Sequence, residues 1–275
     1  MTKVGRSIAE CGNARLGVEM VFGESTVTSS FATSPMKLLT PVSRGKSVWA
    51  YTSSFGGGLV AGDQTRLEIS LGAGSRCFVG TQSSTKIYRN PAGHPCSHNT
   101  NAVLGPGSLL IFAPEPVQAF ADSHYTQRQE FRLGAGAGLL LLDWFTSGRA
   151  ARGERWAFAH LESRNEVFVE NERVLLDPIL LTSPEVAEHM GRFNCMASLL
   201  LLGAPFAEAA EAMQQALAAR AVERRAAQSF SVSPVRGGVL MRIAGIEVEN
   251  VRRELQNHLW FVGELLGDDP WARKS

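Results

Sequence analysis

A five-residue motif that recurs three times constrains the fold of this chain more than any other feature. Its form is L-G-[AP]-G-[SA], and its copies are residues 71–75, 104–108 and 133–137. Each copy follows a polar segment and precedes an apolar one. Because glycine supplies the positive φ of tight turns, the repeat predicts equivalent turns in a layered, solenoid-like stack of strands. Three unrelated Gly-rich hairpin turns would produce a similar pattern and are the alternative.

The hydrophobic pattern changes near residue 180. Before this point, apolar residues recur at every second position, which predicts strands with one buried face at 15–22, 65–71 and 166–169. After it, a helical spacing takes over. The elements predicted there are helices at 184–202, 205–228 and 249–266 and a returning strand at 239–243.

Together these elements predict a mostly β fold with α-helices (α+β). We expect a layered, β-helix-like stack of strands with Gly-rich turns, followed by a helical C-terminal portion. No linker rich in Pro, Ser or charge divides the chain, so we expect one domain over residues 1–275. Within it, residues 1–182 form the β-rich layered portion, and residues 183–275 are mainly helical with the one returning strand.

The composition is that of an ordinary globular protein. Of the 275 residues, 44% are hydrophobic and 19% are charged, and the formal net charge is +1. This charge provides no electrostatic attraction to nucleic acid or to an anionic membrane. No apolar run reaches the ~18 residues of a membrane span, and the N-terminal residues lack the apolar core of a signal peptide. The four cysteines show no close pairing, so we expect reduced thiols and a cytoplasmic location.

The glycine-rich stretch GGGLVAGDQ at residues 56–64 looks like the first half of a phosphate-binding loop. A Walker loop requires Lys and then Ser or Thr after its last glycine, where this chain has Asp63 and Gln64. Nucleotide loops also lead into a helix, whereas the following TRLEISL alternates as a strand does. Both differences argue against nucleotide binding at this loop.

Residues 55–89 resemble the signature of the urease accessory protein UreD family, called UreH in some lineages. The shared pattern is a G-G-L-V-x-G-D loop, a strand, a G-x-G turn and then T-Q-x-x-T-K-[IV]-Y-R. Further matches follow in order at 114–117, 143–149, 151–156, 163–166 and 175–178. The resemblance covers residues 15–182 well and the C-terminal end only in pattern.

The resemblance implies a non-enzymatic role. Proteins of the UreD type join the accessory proteins UreF and UreG, the latter a GTPase, on the urease apoprotein, and they help to deliver nickel to the urease active site. It also implies a stack of strands with helices at one side and an internal passage for nickel. No tightly bound cofactor is expected, only transient Ni²⁺, and neither nucleic acid nor membrane is an expected partner.

Three carboxylates are candidates for a nickel path. A transfer route requires weak and sparse ligands, because the ion must leave again. Asp63 is the first candidate, since it lies beside glycines in the loop that best marks the family; a hydrogen bond to its own turn is the structural alternative. Glu166 and Glu115 are the others, and each could equally be a surface charge or an ion-pair partner of nearby arginines.

A second metal candidate does not come from the resemblance. His94, Cys96 and His98 alternate along the chain, so in an extended backbone all three would project to one side. Imidazole and thiolate ligands suit nickel, copper or zinc. The neighbouring prolines and glycine predict a loop or hairpin tip, however, where an inert polar cluster is the alternative.

Two rival functions have less support in the sequence. An enzyme would need a catalytic constellation, but Ser147 lacks the G-x-S-x-G elbow and no H-E-x-x-H motif occurs. A metal-storage protein would be expected to carry a His-rich tract, which is missing here. A metal-binding storage protein and an enzyme whose site is not visible in the sequence stay open as alternatives.

Overall fold

A computed structural model describes residues 11–42, 45–221 and 223–272. Its strands are β1 (Cys11–Val21), β2 (Glu24–Ala32), β3 (Met36–Leu39), β4 (Val48–Ser54), β5 (Gly58–Leu59), β6 (Gln64–Leu71), β7 (Arg76–Thr81), β8 (Thr85–Ile87), β9 (Cys96–Leu104), β10 (Leu109–Phe112), β11 (Val117–Ala119), β12 (His124–Leu133), β13 (Gly138–Thr146), β14 (His160–Val169), β15 (Glu172–Thr182), β16 (Cys195–Leu202), β17 (Gln228–Val235) and β18 (Gly238–Gly245). Its α-helices are α1 (Glu185–Met190), α2 (Ala207–Ala218), α3 (Val248–Asn257) and α4 (Val262–Leu266), and short 3-10 turns occur at Phe55–Gly57, Ala150–Arg152 and Ala204–Phe206.

The strands form two sheets that pack face to face. The seven-stranded sheet has the order β15-β14-β12-β9-β6-β1-β2. The eleven-stranded sheet has the order β17-β18-β16-β13-β10-β7-β4-β3, with β5, β8 and β11 attached at its side. Strands β6, β9, β12 and β14 are parallel neighbours, as are β4, β7, β10 and β13. The chain therefore winds between the sheets as a β-solenoid, which confirms the predicted fold class.

The repeated motif forms the turns that carry the chain from one sheet to the other. The amide of Gly74 donates to the carbonyl of Pro106, and the amide of Gly107 donates to that of Ala135, both at 2.9 Å. Gly74, Gly107 and Gly136 have φ values of +70°, +64° and +68°. The predicted stack of equivalent turns is confirmed. Unrelated hairpins are excluded because the strands that flank each turn lie in different sheets.

The outer faces of the two sheets differ. Apolar side chains of α2, α3 and α4 pack with those of the eleven-stranded sheet in one buried cluster, which includes Val251, Leu255, Leu140 and Phe78. On the seven-stranded sheet, outward side chains of β6, β9 and β12 are exposed or half-exposed. No helix in the described ranges has the length and hydropathy that a membrane crossing requires.

The predicted helix at 184–202 is wrong over most of its length. Only Glu185–Met190 is helical, and Cys195–Leu202 is strand β16, which pairs with β13 and β18. A continuous apolar run on a strand buried on both faces has no period of two and can be mistaken for a helix. The helix predicted at 205–228 ends at Ala218, so β17 follows as a strand that was not predicted.

Other predicted elements agree with the structure. The strands expected at 15–22, 65–71, 166–169 and 239–243 lie in β1, β6, β14 and β18, apart from Phe22, which follows β1. The last predicted helix, 249–266, is divided into α3 and α4. The described residues of 183–272 thus contain three strands where one was expected, and all three belong to the eleven-stranded sheet.

Candidate functional site

A cavity lies between the two sheets. It has a volume of about 80 Å³, which is enough space for several water molecules. Strands from both sheets line it, together with the chain before β5 and around β8 and β11. Its polar lining includes Thr65, His98, Glu115, Tyr125, Gln127 and Asp143. These side chains place hydrogen-bonding and ionisable groups inside an otherwise apolar sandwich.

Asp143 is the buried carboxylate of this cavity. It lies in β13, all of whose residues are buried. Its Oδ1 accepts a hydrogen bond from Gln127 Nε2 (2.9 Å), and its Oδ2 accepts from Ser163 Oγ (2.7 Å) and Asn165 Nδ2 (2.9 Å). Burial raises the pKa of this carboxyl, while the three neutral donors act in the opposite direction. Within the described ranges no cationic side chain forms an ion pair with it.

The hydrogen bonds around Asp143 continue along two neighbouring strands. Tyr125 Oη donates to Gln127 Oε1 at 3.0 Å, and Gln129 Nε2 donates to Asn165 Oδ1 at 2.8 Å. Burial raises the pKa of Tyr125, which keeps its hydroxyl protonated and able to donate. The network is satisfied by its own members and therefore holds the carboxylate in a fixed position.

His98 faces the same cavity from β9. Its Nδ1 lies 2.8 Å from Thr65 Oγ1, and its Nε2 lies 3.1 Å from Thr100 Oγ1. Burial lowers the pKa of the imidazole to about 4, so the ring is neutral near pH 7. A neutral imidazole has a lone pair that can bind a divalent metal.

The three predicted carboxylates lie in three different places. Asp63 does not line the cavity; its Oδ2 accepts a hydrogen bond from the amide of Val60 at 2.9 Å, as expected for a residue that holds its own turn. Glu115 lines the cavity and forms an ion pair with Arg252 at 2.7 Å. Glu166 lies on the outer face of the seven-stranded sheet, where a hydrogen bond from Arg164 lowers its pKa.

The predicted set of His94, Cys96 and His98 is not assembled as a metal site. His94 is exposed, whereas Cys96 is buried and its Sγ donates to the carbonyl of His124 at 3.4 Å. Burial raises the pKa of the Cys96 thiol to about 12, which disfavours the thiolate that a metal requires. Among the residues that the structure describes, no three His, Cys, Asp or Glu side chains are grouped so that they could hold a metal ion.

Asp143 was missed as a site residue, although the sequence contained two indications of it. It is the lone charge in the otherwise apolar strand GLLLLDWFT. In addition, Gln127 and Gln129 occupy core-facing positions of an alternating strand, as do Ser163 and Asn165 of the next strand. Polar residues at positions where the alternation places the core indicate a buried polar network.

Comparison with known proteins identifies the family. Residues 10–272 match the family described as UreD urease accessory protein. A urease accessory protein UreD of Sorangium cellulosum is 42% identical, over 98% of this chain and 86% of that protein, and one of an Anaeromyxobacter species is 39% identical, over 95% and 89%. Urease accessory protein D of Arabidopsis thaliana is 34% identical, over 93% of this chain and 98% of its own length. The chain belongs to the UreD family of urease accessory proteins.

Proposed function

We propose that this chain acts in urease maturation as a scaffold that joins the urease apoprotein to UreF-like and UreG-like proteins, and that Ni²⁺ destined for urease passes through the cavity between its sheets. Its membership of the UreD family supports the role in maturation. The route through this chain is supported chiefly by one observation: Asp143 is a buried carboxylate with no ion-pair partner among the described residues, in a cavity that holds water-sized space.

The cavity offers Ni²⁺ ligands of suitable chemistry. Nickel accepts carboxylate, imidazole and water, and Glu115, Asp143 and His98 all line the same space. The positive charge of the ion would offset the cost of burying the Asp143 carboxylate. Glu115 already pairs with Arg252, so a passing cation competes with a guanidinium there and is held weakly. Scattered ligands of this kind allow the ion to move on.

Substitution of Asp143 tests the route. Asp143→Asn keeps the size of the side chain and removes its charge, and Glu208→Gln at an exposed position of α2 removes one charge away from the cavity. Each variant is co-expressed with the urease subunits and the other accessory proteins, and the nickel content of the purified urease is measured. We expect Asp143→Asn to lower the nickel content about tenfold at limiting nickel, a difference of about 1.4 kcal/mol in ion stabilisation, and Glu208→Gln to leave it unchanged.

Co-purification of the accessory complex separates the outcomes. If Asp143→Asn loads urease fully, Ni²⁺ does not depend on this carboxylate and the route is wrong. If the variant no longer assembles with the accessory proteins, Asp143 has a structural role instead. The scaffold itself is tested by omitting this chain, and full nickel loading of urease without it would contradict the proposal.

A further inference from the structure

Arginines from three strands line up across the outer face of the seven-stranded sheet. In the strand register, Arg66 of β6 lies opposite Asn99 of β9, Asn99 lies opposite Arg128 of β12, and Arg128 lies opposite Arg164 of β14. All four side chains point away from the core, and together they line a shallow depression. We call Arg66, Arg128 and Arg164 the arginine row.

The next outward line of residues is acidic but already neutralised. It contains Glu68, Glu130 and Glu166, which lie two residues further along the same strands. Their ion pairs are Glu68 with Arg15 (3.0 Å), Glu130 with Arg132 (2.7 Å), and Glu166 with Arg164 (2.7 Å) and Arg173 (3.3 Å). Three of these four arginines come from outside the arginine row.

This pairing leaves two guanidinium groups uncompensated. Neither Arg66 nor Arg128 forms an ion pair with any carboxylate in the described part of the chain. They are two strands apart, which places their backbones about 10 Å from each other at the usual strand spacing. Asn99 lies between them and supplies an amide. The depression therefore presents forked donors and the amides of Asn99 and Asn101, while its two carboxylates, Glu130 and Glu166, already pair with other arginines.

We propose that the arginine row docks an acidic segment of a partner protein. Arginine binds carboxylates bidentately. An exposed guanidinium stays largely hydrated when an acidic side chain binds it, so little free energy is spent on removing water from its charge. The arginines beside Glu68, Glu130 and Glu166 are already paired, so Arg66 and Arg128 alone among the described residues of this depression carry free positive charge, a smaller basic surface than nucleic acid or an anionic membrane requires. Separate carboxylates on a protein segment can meet Arg66 and Arg128 without approaching these glutamates.

A fluorescent octaglutamate peptide is a suitable probe for this surface, with octaglutamine as its neutral control. Binding to the full chain is measured by anisotropy for the wild type, for Arg66→Gln/Arg128→Gln and for Arg224→Gln/Arg225→Gln. The last pair is exposed and follows α2, and it changes the net charge equally. We expect Arg66→Gln/Arg128→Gln to weaken octaglutamate binding about tenfold, because two charge-assisted contacts are lost. Arg224→Gln/Arg225→Gln should change the affinity by no more than about twofold.

Several results would overturn the proposal. These are the absence of octaglutamate binding, equal weakening by both double variants, and equal binding of octaglutamine. If phosphatidylserine vesicles or duplex DNA bind through Arg66 and Arg128 more tightly than the peptide does, the surface has another ligand class. If self-association is what Arg66→Gln/Arg128→Gln abolishes, its occupant is a second copy of this chain. Unchanged circular dichroism and thermal unfolding of the double variants show that each is folded.

Discussion

In the seven-stranded sheet, side chains alternate between the core and the solvent, whereas strands β10 and β13 of the eleven-stranded sheet are buried over their whole length. The outer face of the eleven-stranded sheet packs against α2, α3 and α4. Its outward residues therefore serve stability. The seven-stranded sheet keeps an outer face of charged side chains, and that face is free to serve recognition.

The largest expected effect comes from equivalent outward positions of the two sheets. Leu140 of β13 faces the helices and is fully buried, while Val103 of β9 is 56% exposed. We expect Leu140→Ala to lower the free energy of unfolding by about 2–5 kcal/mol, because it leaves a cavity under the helices. Val103→Ala should change it by less than about 0.5 kcal/mol. Urea unfolding followed by circular dichroism measures both, and similar losses would mean that the two outer faces do not differ.

The second effect concerns the polar interior between the sheets. The pKa of His98 falls from 6.5 to about 4 in the fold, so the unfolded chain binds more protons between these pH values. The contribution of His98 to the free energy of unfolding is fully present above pH 6.5. As the pH falls towards 4, this contribution decreases by on the order of 2 to 3 kcal/mol. Asp143 acts in the opposite direction, since burial raises its pKa and the fold favours its protonated form.

The contribution of His98 can be isolated by difference. Unfolding free energies of the wild type and of His98→Gln are measured from pH 7 to pH 4. The variant should lose less stability than the wild type over this range, because its amide does not titrate. His94→Gln is the matched control, since His94 is exposed at the start of the same segment. Parallel pH profiles for the wild type and His98→Gln would show that the imidazole is not held neutral in the cavity.

The sequence predicted the seven-stranded sheet better than the eleven-stranded one for a physical reason. A strand with one wet face shows a period of two, and β1, β6 and β14 were found this way. The run MASLLLL in β16 is buried on both sides, so nothing in its pattern distinguishes a strand from a helix. The Gly-rich repeat was more informative than either pattern, because positive φ values fix the turns between the sheets.

The cavity was harder to predict than the fold. Of the candidate residues, Glu115 and His98 line it, while Asp63 and Glu166 do not. Residues that converge there come from several different strands, and only the register of the solenoid brings Gln127, Asp143 and Ser163 of the successive strands β12, β13 and β14 together. A single sequence shows that a polar residue occupies a core-facing position, but it does not show which other polar residue it meets.

The smallest expected effects are those of ion pairs, which also distinguish the space between the sheets from the outer face. Arg242 of β18 pairs with Asp177 of the edge strand β15, whose side chain is only 7% exposed, and so links the two sheets near their edges. Arg242→Gln leaves a buried carboxylate without its cation and should cost about 1–3 kcal/mol. The Arg15–Glu68 pair on the outer face is 66% and 41% exposed, so Arg15→Gln should cost less than about 1 kcal/mol. Raising the salt concentration should reduce the second effect more than the first, because salt screens exposed pairs more strongly than partly buried ones. Equal costs and equal salt dependence in urea unfolding would contradict this distinction, since they would mean that solvent reaches the edge between the sheets as freely as the outer face.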